Sequence, residues 1–242
     1  MLPGQKTIQA LFGRPRPPSI YDLFTQNTDG SIHKWHHYFE IYERYFSPYV
    51  GRPVTLLEIG VQAGGSLRLW RRYLGKQAQV FGCDVDPACK RLEAEGFPVF
   101  IGDQADPTFL QSMLAAIPPL DIVIDDGGHT SRQQLTSFEH IYPRMKDRAI
   151  YLVEDTHTNY WQDYIDTPDR ATFVEFAKRQ ADTLHAWHFD RSSIERYGVP
   201  PPERAGQVDV PELTRSTFAL TFFDSVVVFE RRPIVEPWHQ RR

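Results

Sequence analysis

From Val54 onward, short continuous apolar runs alternate with segments of helical period: VTLLEIG, SLRLWRRYLG, QVFGCD, PACKRLEAEG, PVFIGD, PTFLQSMLAAIP, DIVIDDG, SRQQLTSFEHIYPRMK and AIYLVED. A strand buried on both faces reads as an unbroken apolar run, and connecting helices of about ten or more residues allow neighbouring strands to run parallel. Five strand-and-helix cycles therefore predict an α/β domain with a parallel sheet covered on both sides. The helical segments agree. Leu67, Trp70, Tyr73 and Leu74 share one face of the first, and Leu110, Met113, Leu114 and Ile117 one face of the third, while Arg71 and Arg72 can face water.

The flanks have a different texture. Ahead of the repeating pattern come a proline-rich stretch, GRPRPPS, and then HKWHHYFEIYERYFSPYV, in which Tyr38, Tyr42, Tyr45 and Phe46 recur at helical spacing and predict an amphipathic leading helix. After Asp155 the sequence predicts a polar segment, a helix from about Arg170 to His188 and a charged, proline-rich loop from Gly198 to Pro211. TFALTFFDSVVVFERRP is two β-rich runs broken at Asp224 and Ser225, a hairpin at the sheet edge. The chain thus divides into a helical extension or lid over residues 1–50 and a ligand-binding domain over residues 51–242.

Composition narrows the class. With 242 residues, 41% hydrophobic and 13% aromatic, the chain can bury one substantial core. A net charge of -4 without a long Lys/Arg block argues against nucleic acid, which is held mainly through phosphate contacts. Cys83 and Cys89 read as reduced thiols. No run approaches about 18 apolar residues, and MLPGQKTIQALFGRPRPPS lacks the apolar core and cleavage site of a signal peptide, so a soluble, cytoplasmic protein with no membrane partner is expected.

The candidate chemistry lies at strand ends. LLEIGVQAGGSL puts Glu58 at the end of a strand, then Gly60, Gly64 and Gly65, then Ser66 at the start of a helix. Glycines there let the backbone approach a ligand, and the helix N-terminus offers free N–H groups. A dinucleotide fingerprint needs a glycine where Gln62 stands, which weakens a nicotinamide reading. The spacing E-x-G-x-x-x-G resembles instead the first motif of class I S-adenosylmethionine-dependent methyltransferases. The second strand ends in GCDVDP, where an acid roughly 20 residues past the glycines can bond ribose hydroxyls; Asp84 is the first choice and Asp86 the second. The third ends in IGDQAD, and the resemblance implies that Asp103 and Gln104 meet the adenine edge. For any one of these acids, capping of the following helix is the competing reading.

The fourth strand supplies Asp125, Asp126 and His129, and the fifth Glu154 and Asp155. Carboxyl ends of adjacent strands in an open parallel sheet face one crevice, so these groups can converge. Carboxylates gathered in a partly desolvated cleft repel one another, and a cation relieves that repulsion. All-oxygen ligation points to magnesium, with manganese or calcium as substitutes. The bland readings are a capping His129 and an acidic pair that meets Arg or Lys, although Thr156, His157 and Asn159 follow instead of basic residues. His33, His36 and His37 carry a metal-compatible spacing but fit a lid better. Trp187, Phe189 and Tyr197 fit either core or an acceptor-pocket wall.

The pairing of DDGGH with VEDT, together with EIG…GGS and the closing hairpin, resembles the metal-dependent O-methyltransferases that modify sugars of macrolides and related natural products, most strongly from Val54 to Tyr160. That resemblance implies a doubly wound, mostly parallel seven-stranded sheet of the Rossmann-like methyltransferase type with a C-terminal antiparallel hairpin. It implies S-adenosyl-L-methionine and Mg2+ as cofactors, a glycoside or glycan acceptor, and a homo-oligomer. It implies Asp126, Glu154 and Asp155 as metal ligands, His129 as base, and Asp125 nearer the cofactor, with His129 as a further ligand left open. The chemistry is consistent: a sulfonium methyl is already activated, so deprotonating the poor hydroxyl nucleophile is the protein's task. A divalent ion and an imidazole, with a reference pKa of about 6.5, are suited to it. A catechol-type phenolic acceptor and a catalytically silent cofactor-binding module are the alternatives.

Overall fold

A computed structural model describes residues 18–206 and 208–242. The extreme N-terminus and the proline-rich stretch up to Pro17 lie outside the described residues. The five apolar runs form β1 (Val54–Ile59), β2 (Ala78–Asp84), β3 (Val99–Ile101), β4 (Ile122–Asp125) and β5 (Ala149–Val153), and the C-terminal runs form β6 (Thr217–Phe223) and β7 (Val226–Arg231). Among the described residues they make one seven-stranded sheet in the order β3-β2-β1-β4-β5-β7-β6. The first five are parallel, and β7 pairs antiparallel with both β5 and β6.

The register decides where the chemistry falls. Ile59 stands opposite Cys83 on one side and Asp125 on the other, and Asp125 stands opposite Val153, so Gly60, Asp84, Asp126 and Glu154 emerge side by side. Because β7 runs the other way, Val227 pairs with Val153 and the hairpin turn at Ser225 returns to the same edge.

Helices cover both faces: α1 (Ile20–Thr25), α2 (Tyr38–Phe46) and α3 (Gly65–Leu74) on one side; α4 (Pro107–Ala116), α5 (Ser131–Ile141) and α6 (Phe173–Leu184) on the other. Two short helices, α7 (Ser193–Tyr197) and α8 (Glu212–Ser216), follow. PACKRLEAE folds as a 3-10 helix; Cys89 and Leu92, three apart, align on one face of such a helix and both are buried. The α5 N-terminus is fixed by a capping box between Thr130 and Gln133.

The N-terminal helices share the domain's core. Ile20, Leu23, Tyr38, Tyr42 and Phe46 pack in one cluster with Leu56 and Trp70, and the Trp70 ring meets Tyr42 and Phe46 edge-on at 5.1 and 5.7 Å. Each fully buried aromatic of this kind contributes roughly 1.5–3 kcal/mol, which anchors the segment carrying residues 31–35 across the carboxyl ends of the strands. Trp187 and Tyr197 belong to a small separate cluster with Ala186 and Val210, whereas Phe189 is exposed. No helix of the described residues is long and apolar enough to cross a membrane.

Candidate active site

Two adjoining cavities of about 100 and 180 Å³ lie over the strand ends and share Gly60, Gln62 and Asp126 in their walls. The glycine turn shapes both. Gly60 has φ +85°, and a Cβ there would stand 2.0 Å from the Asp126 carbonyl oxygen, so only glycine lets the first and fourth strand ends pass this closely. Gly64, at φ +77°, caps α3, and a side chain there would strike Leu92. Asp84 holds the turn from the neighbouring strand: its Oδ2 accepts the Val61 and Gln62 N–H groups and its Oδ1 that of Asp86. Burial would raise this carboxyl, but the N–H groups of Asp86, Gln62 and Val61 outweigh it and hold the pKa below the ordinary value. A carboxylate offers about four acceptor sites, so Asp84, in the wall of the larger cavity, retains capacity for a ligand hydroxyl.

Gln104 and Asp125 form the floor. Gln104 Nε2 donates to Asp125 Oδ1 at 2.8 Å and to Ser137, and its Oε1 accepts the Gly128 N–H. Tyr151 donates to the other Asp125 oxygen at 3.2 Å. Burial pushes the Asp125 carboxyl up to about 7 against these donors. Asp103 is exposed, lines neither cavity, and accepts the Ala105 N–H in a local turn. Asp86 likewise caps the 3-10 helix through Ala88. Glu58 is fully buried, with Oε2 accepting the Ser66 hydroxyl at 2.6 Å.

Asp126, His129 and Asp155 meet at the rim. Donor atoms of the three lie within 4.8 Å of one another. His129 Nε2 is 3.9 Å from Asp126 Oδ1 and 3.6 Å from Asp155 Oδ2, while its Nδ1 is buried without a hydrogen-bond partner. His129 and Asp155 both adopt left-handed backbone, φ 59° and 52°, as does Gln62 at 45°; strain of this kind is concentrated around one crevice. Tyr38, on α2, donates to Asp155 Oδ1 at 2.6 Å, and its oxygen lies 2.8 Å from the Ser225 hydroxyl of the hairpin turn; this turns Asp155 Oδ2 toward His129. Two carboxylates at this spacing are donors that a divalent cation fits, with water completing the shell as magnesium commonly requires, and the imidazole stands beside them.

Glu154 is not drawn into that group. It is buried beneath the rim, where both its oxygens accept from the Lys34 ammonium, at 3.0 and 2.9 Å, and Oε1 also accepts from Tyr42 at 2.6 Å. The ammonium reaches Asp126 Oδ2 at 2.5 Å and lies 3.6 Å from Glu58 Oε1. Burial opposes the charge on Lys34, but Asp126, Glu154 and Glu58 outweigh it and hold its pKa well above the ordinary range. Burial and the Asp126 charge push Glu154 up, against the donors Lys34 and Tyr42; with an ammonium 2.9 Å away, the charge-separated pair is the state the geometry favours. Sequence reasoning missed Lys34, which sits in irregular backbone 92 and 120 positions from its two closest partners. The one available signal was the excess of buried acids itself, which requires a cation.

The three histidines do not converge. His33 precedes α2, His36 approaches Tyr21, and His37 reaches the Asp224 carbonyl. Cys83 and Cys89 are buried, and burial raises both thiols, Cys89 to about 11.

Residues 57–156 match a family model described as a methyltransferase domain. The 8-demethyl-8-alpha-L-rhamnosyl tetracenomycin-C 2'-O-methyltransferase of Streptomyces olivaceus is 36% identical over 210 residues, covering 82% of this chain and 52% of that protein. The mycinamicin VI 2''-O-methyltransferase of Micromonospora griseorubida is 31% identical over 153 residues, 60% of this chain and 38% of that one. The MycE methyltransferase of mycinamycin biosynthesis, solved in complex with Mg and SAH, superposes with a TM-score of 0.71 at 26% identity, covering 90% of this chain and 55% of that chain. The chain spans about half the length of the first curated relatives it matches.

Proposed function

Because the chain carries a methyltransferase domain of the Rossmann-like class I fold and resembles sugar O-methyltransferases of natural-product pathways, we propose that it transfers a methyl group from S-adenosyl-L-methionine to a sugar hydroxyl of a glycosylated small molecule in the presence of magnesium. The observation that carries this reading is the meeting of Asp126, His129 and Asp155 beside the glycine turn, at the ends of two adjacent strands. The relatives named for methylating sugars of polyketide glycosides support the acceptor class.

When bound, S-adenosylmethionine supplies an activated methyl and the divalent ion acidifies the acceptor hydroxyl. The chain's own residues do the rest. Gly60, Gly64, Ser66, Glu58 and Asp84 form the donor turn, and Gln104 with Asp125 closes its floor. Asp126 and Asp155 present one oxygen each to the rim and would hold the ion. His129 Nε2, facing both, takes the acceptor proton. Tyr38 fixes Asp155, and Trp35, in the wall of the smaller cavity, helps to exclude water. Holding donor and acceptor in line supplies much of the remaining barrier reduction, and no covalent intermediate is needed.

Purified protein, labelled S-adenosylmethionine and magnesium should methylate a deoxysugar glycoside in preference to a simple catechol. Preference for the catechol would select the phenolic alternative, and no transfer to any acceptor, with the cofactor still bound, would select the silent module.

A further inference from the structure

We propose that the amino ends of the strands carry a second binding site, in which Arg52, Arg148 and Arg232 take the phosphate group of a small organic monoester. This site lies at the opposite end of the sheet from the methyl-transfer crevice and is independent of the proposed reaction.

The site is a cavity of about 420 Å³, a size suited to a small organic ligand. Pro53 and Ala149, at the starts of β1 and β5, and Glu230 and Arg232, at the end of β7, stand in its wall. Arg52, Arg148 and Arg232 are exposed, and among the described residues none of their guanidiniums donates a hydrogen bond or joins an ion pair. Other arginines are engaged, as Arg68 is with Glu95 and Arg132 with Asp166. Arg231 belongs to the other face of the sheet: side chains alternate along a strand, its Nε donates to the Met145 carbonyl, and its guanidinium lies over Tyr142.

The backbone beneath the three arginines is fixed. The Arg52 N–H donates to the Tyr49 carbonyl at 3.1 Å, the Tyr49 hydroxyl donates to the Arg148 carbonyl at 3.2 Å, and the Arg232 N–H donates to the Ser216 carbonyl at 2.8 Å. Tyr49 thus ties Arg52 to Arg148. Burial, with the charges of Asp121 and Glu230, pushes the Tyr49 hydroxyl up to about 12, so it stays a neutral donor. The Arg232 guanidinium is steadied 4.3 Å from the centre of the Phe218 ring.

Charge selects the ligand. Of the two carboxylates in the wall, Asp121 is already held by the Lys146 ammonium and the Thr55 N–H, each at 2.7 Å. Glu230 alone therefore opposes the three guanidiniums, an excess of two positive charges in a chain whose net charge is -4. A phosphate monoester carries about -1.5 to -2 at neutral pH and presents three acceptor oxygens, which matches that excess and the planar fork of arginine. A carboxylate would bring one charge only. The remaining wall, with Pro48, Tyr49, Ile150 and Phe218, offers apolar surface to the organic part.

Calorimetric titration of the purified chain with phenyl phosphate, with inorganic phosphate as a second arm and circular dichroism to verify folding, tests the site. Wild type should bind phenyl phosphate about tenfold or more tighter than inorganic phosphate, because the ring leaves water. Arg148→Gln and Arg232→Gln should each weaken phenyl phosphate by about tenfold or more. Glu230→Gln should tighten it by about threefold or more, because an opposing charge is gone. Saturating S-adenosylhomocysteine should leave these affinities unchanged. Equal affinity for the two anions would assign the cavity to free phosphate and overturn the monoester. Unaltered binding in both arginine variants, no tightening in Glu230→Gln, displacement by S-adenosylhomocysteine, or no binding at millimolar phenyl phosphate overturns the site.

Discussion

Asp125 offers a quantitative test of the floor beneath the two cavities. Its carboxyl is 1% exposed, bonded by Gln104 and Tyr151, and burial pushes its pKa from 3.8 up to about 7. In the unfolded chain the group ionises near its ordinary value, so between about pH 4 and pH 7 the folded state binds more protons than the unfolded one. Stability from this group therefore falls as pH rises through that window and levels off above it. A tenfold change in proton affinity is worth about 1.4 kcal/mol, so the loss totals about 4 kcal/mol, of which roughly 2–3 kcal/mol falls between pH 5 and pH 8. Asp125→Asn removes the titration while keeping the shape and one acceptor. Urea unfolding of wild type and variant at pH 5 and pH 8 measures the difference in ΔG at each. The variant should gain roughly 2–3 kcal/mol on wild type over that interval, whatever the offset at pH 5. A difference that stays constant would show that Asp125 is ionised in the folded protein, and the description of a sealed, desolvated floor would be wrong.

Gly60→Ala should lower thermal stability and weaken S-adenosylhomocysteine binding in calorimetry, because a left-handed backbone costs an L-residue about 1–2 kcal/mol and the new Cβ would overlap the Asp126 carbonyl at 2.0 Å. His129→Ala should reduce kcat by about 10²- to 10⁴-fold with folding intact, and a loss below about tenfold would assign the proton to another group. Asp84→Ala, which strips the Val61 and Gln62 N–H groups of their acceptor, should weaken S-adenosylhomocysteine by about tenfold or more; unchanged affinity would remove Asp84 from the cofactor turn. Excess EDTA should abolish turnover and added magnesium restore it, and full activity in the chelator would refute metal dependence.

The parallel strands were legible because burial on both faces forces unbroken apolar runs, as in the five buried residues of β5. The hairpin was legible through its Asp224–Ser225 break, and α2 through aromatic spacing. Local pattern could not distinguish an acid that holds a neighbouring strand's turn from one that holds its own, which is why Asp84 and Asp103 read alike, although Asp84 holds Val61 and Gln62 and Asp103 holds Ala105. The fate of Glu154 was hidden for a related reason. The residues immediately after Glu154 include no Lys or Arg, whereas Lys34 arrives from 120 positions upstream on a segment without periodicity. Its position depends on α2 being packed under Trp70, a tertiary constraint that no spacing along the chain expresses.

The proposed chemistry depends above all on two neighbouring strand ends holding a hard divalent ion next to the methyl donor. Crystals grown with manganese and S-adenosylhomocysteine, with data collected at the manganese absorption edge, locate the ion directly. One anomalous peak should bridge Asp126 and Asp155 beside His129, with the cofactor lying along the Gly60 turn. No peak there in crystals that contain the cofactor, or a peak away from both carboxylates, would contradict it.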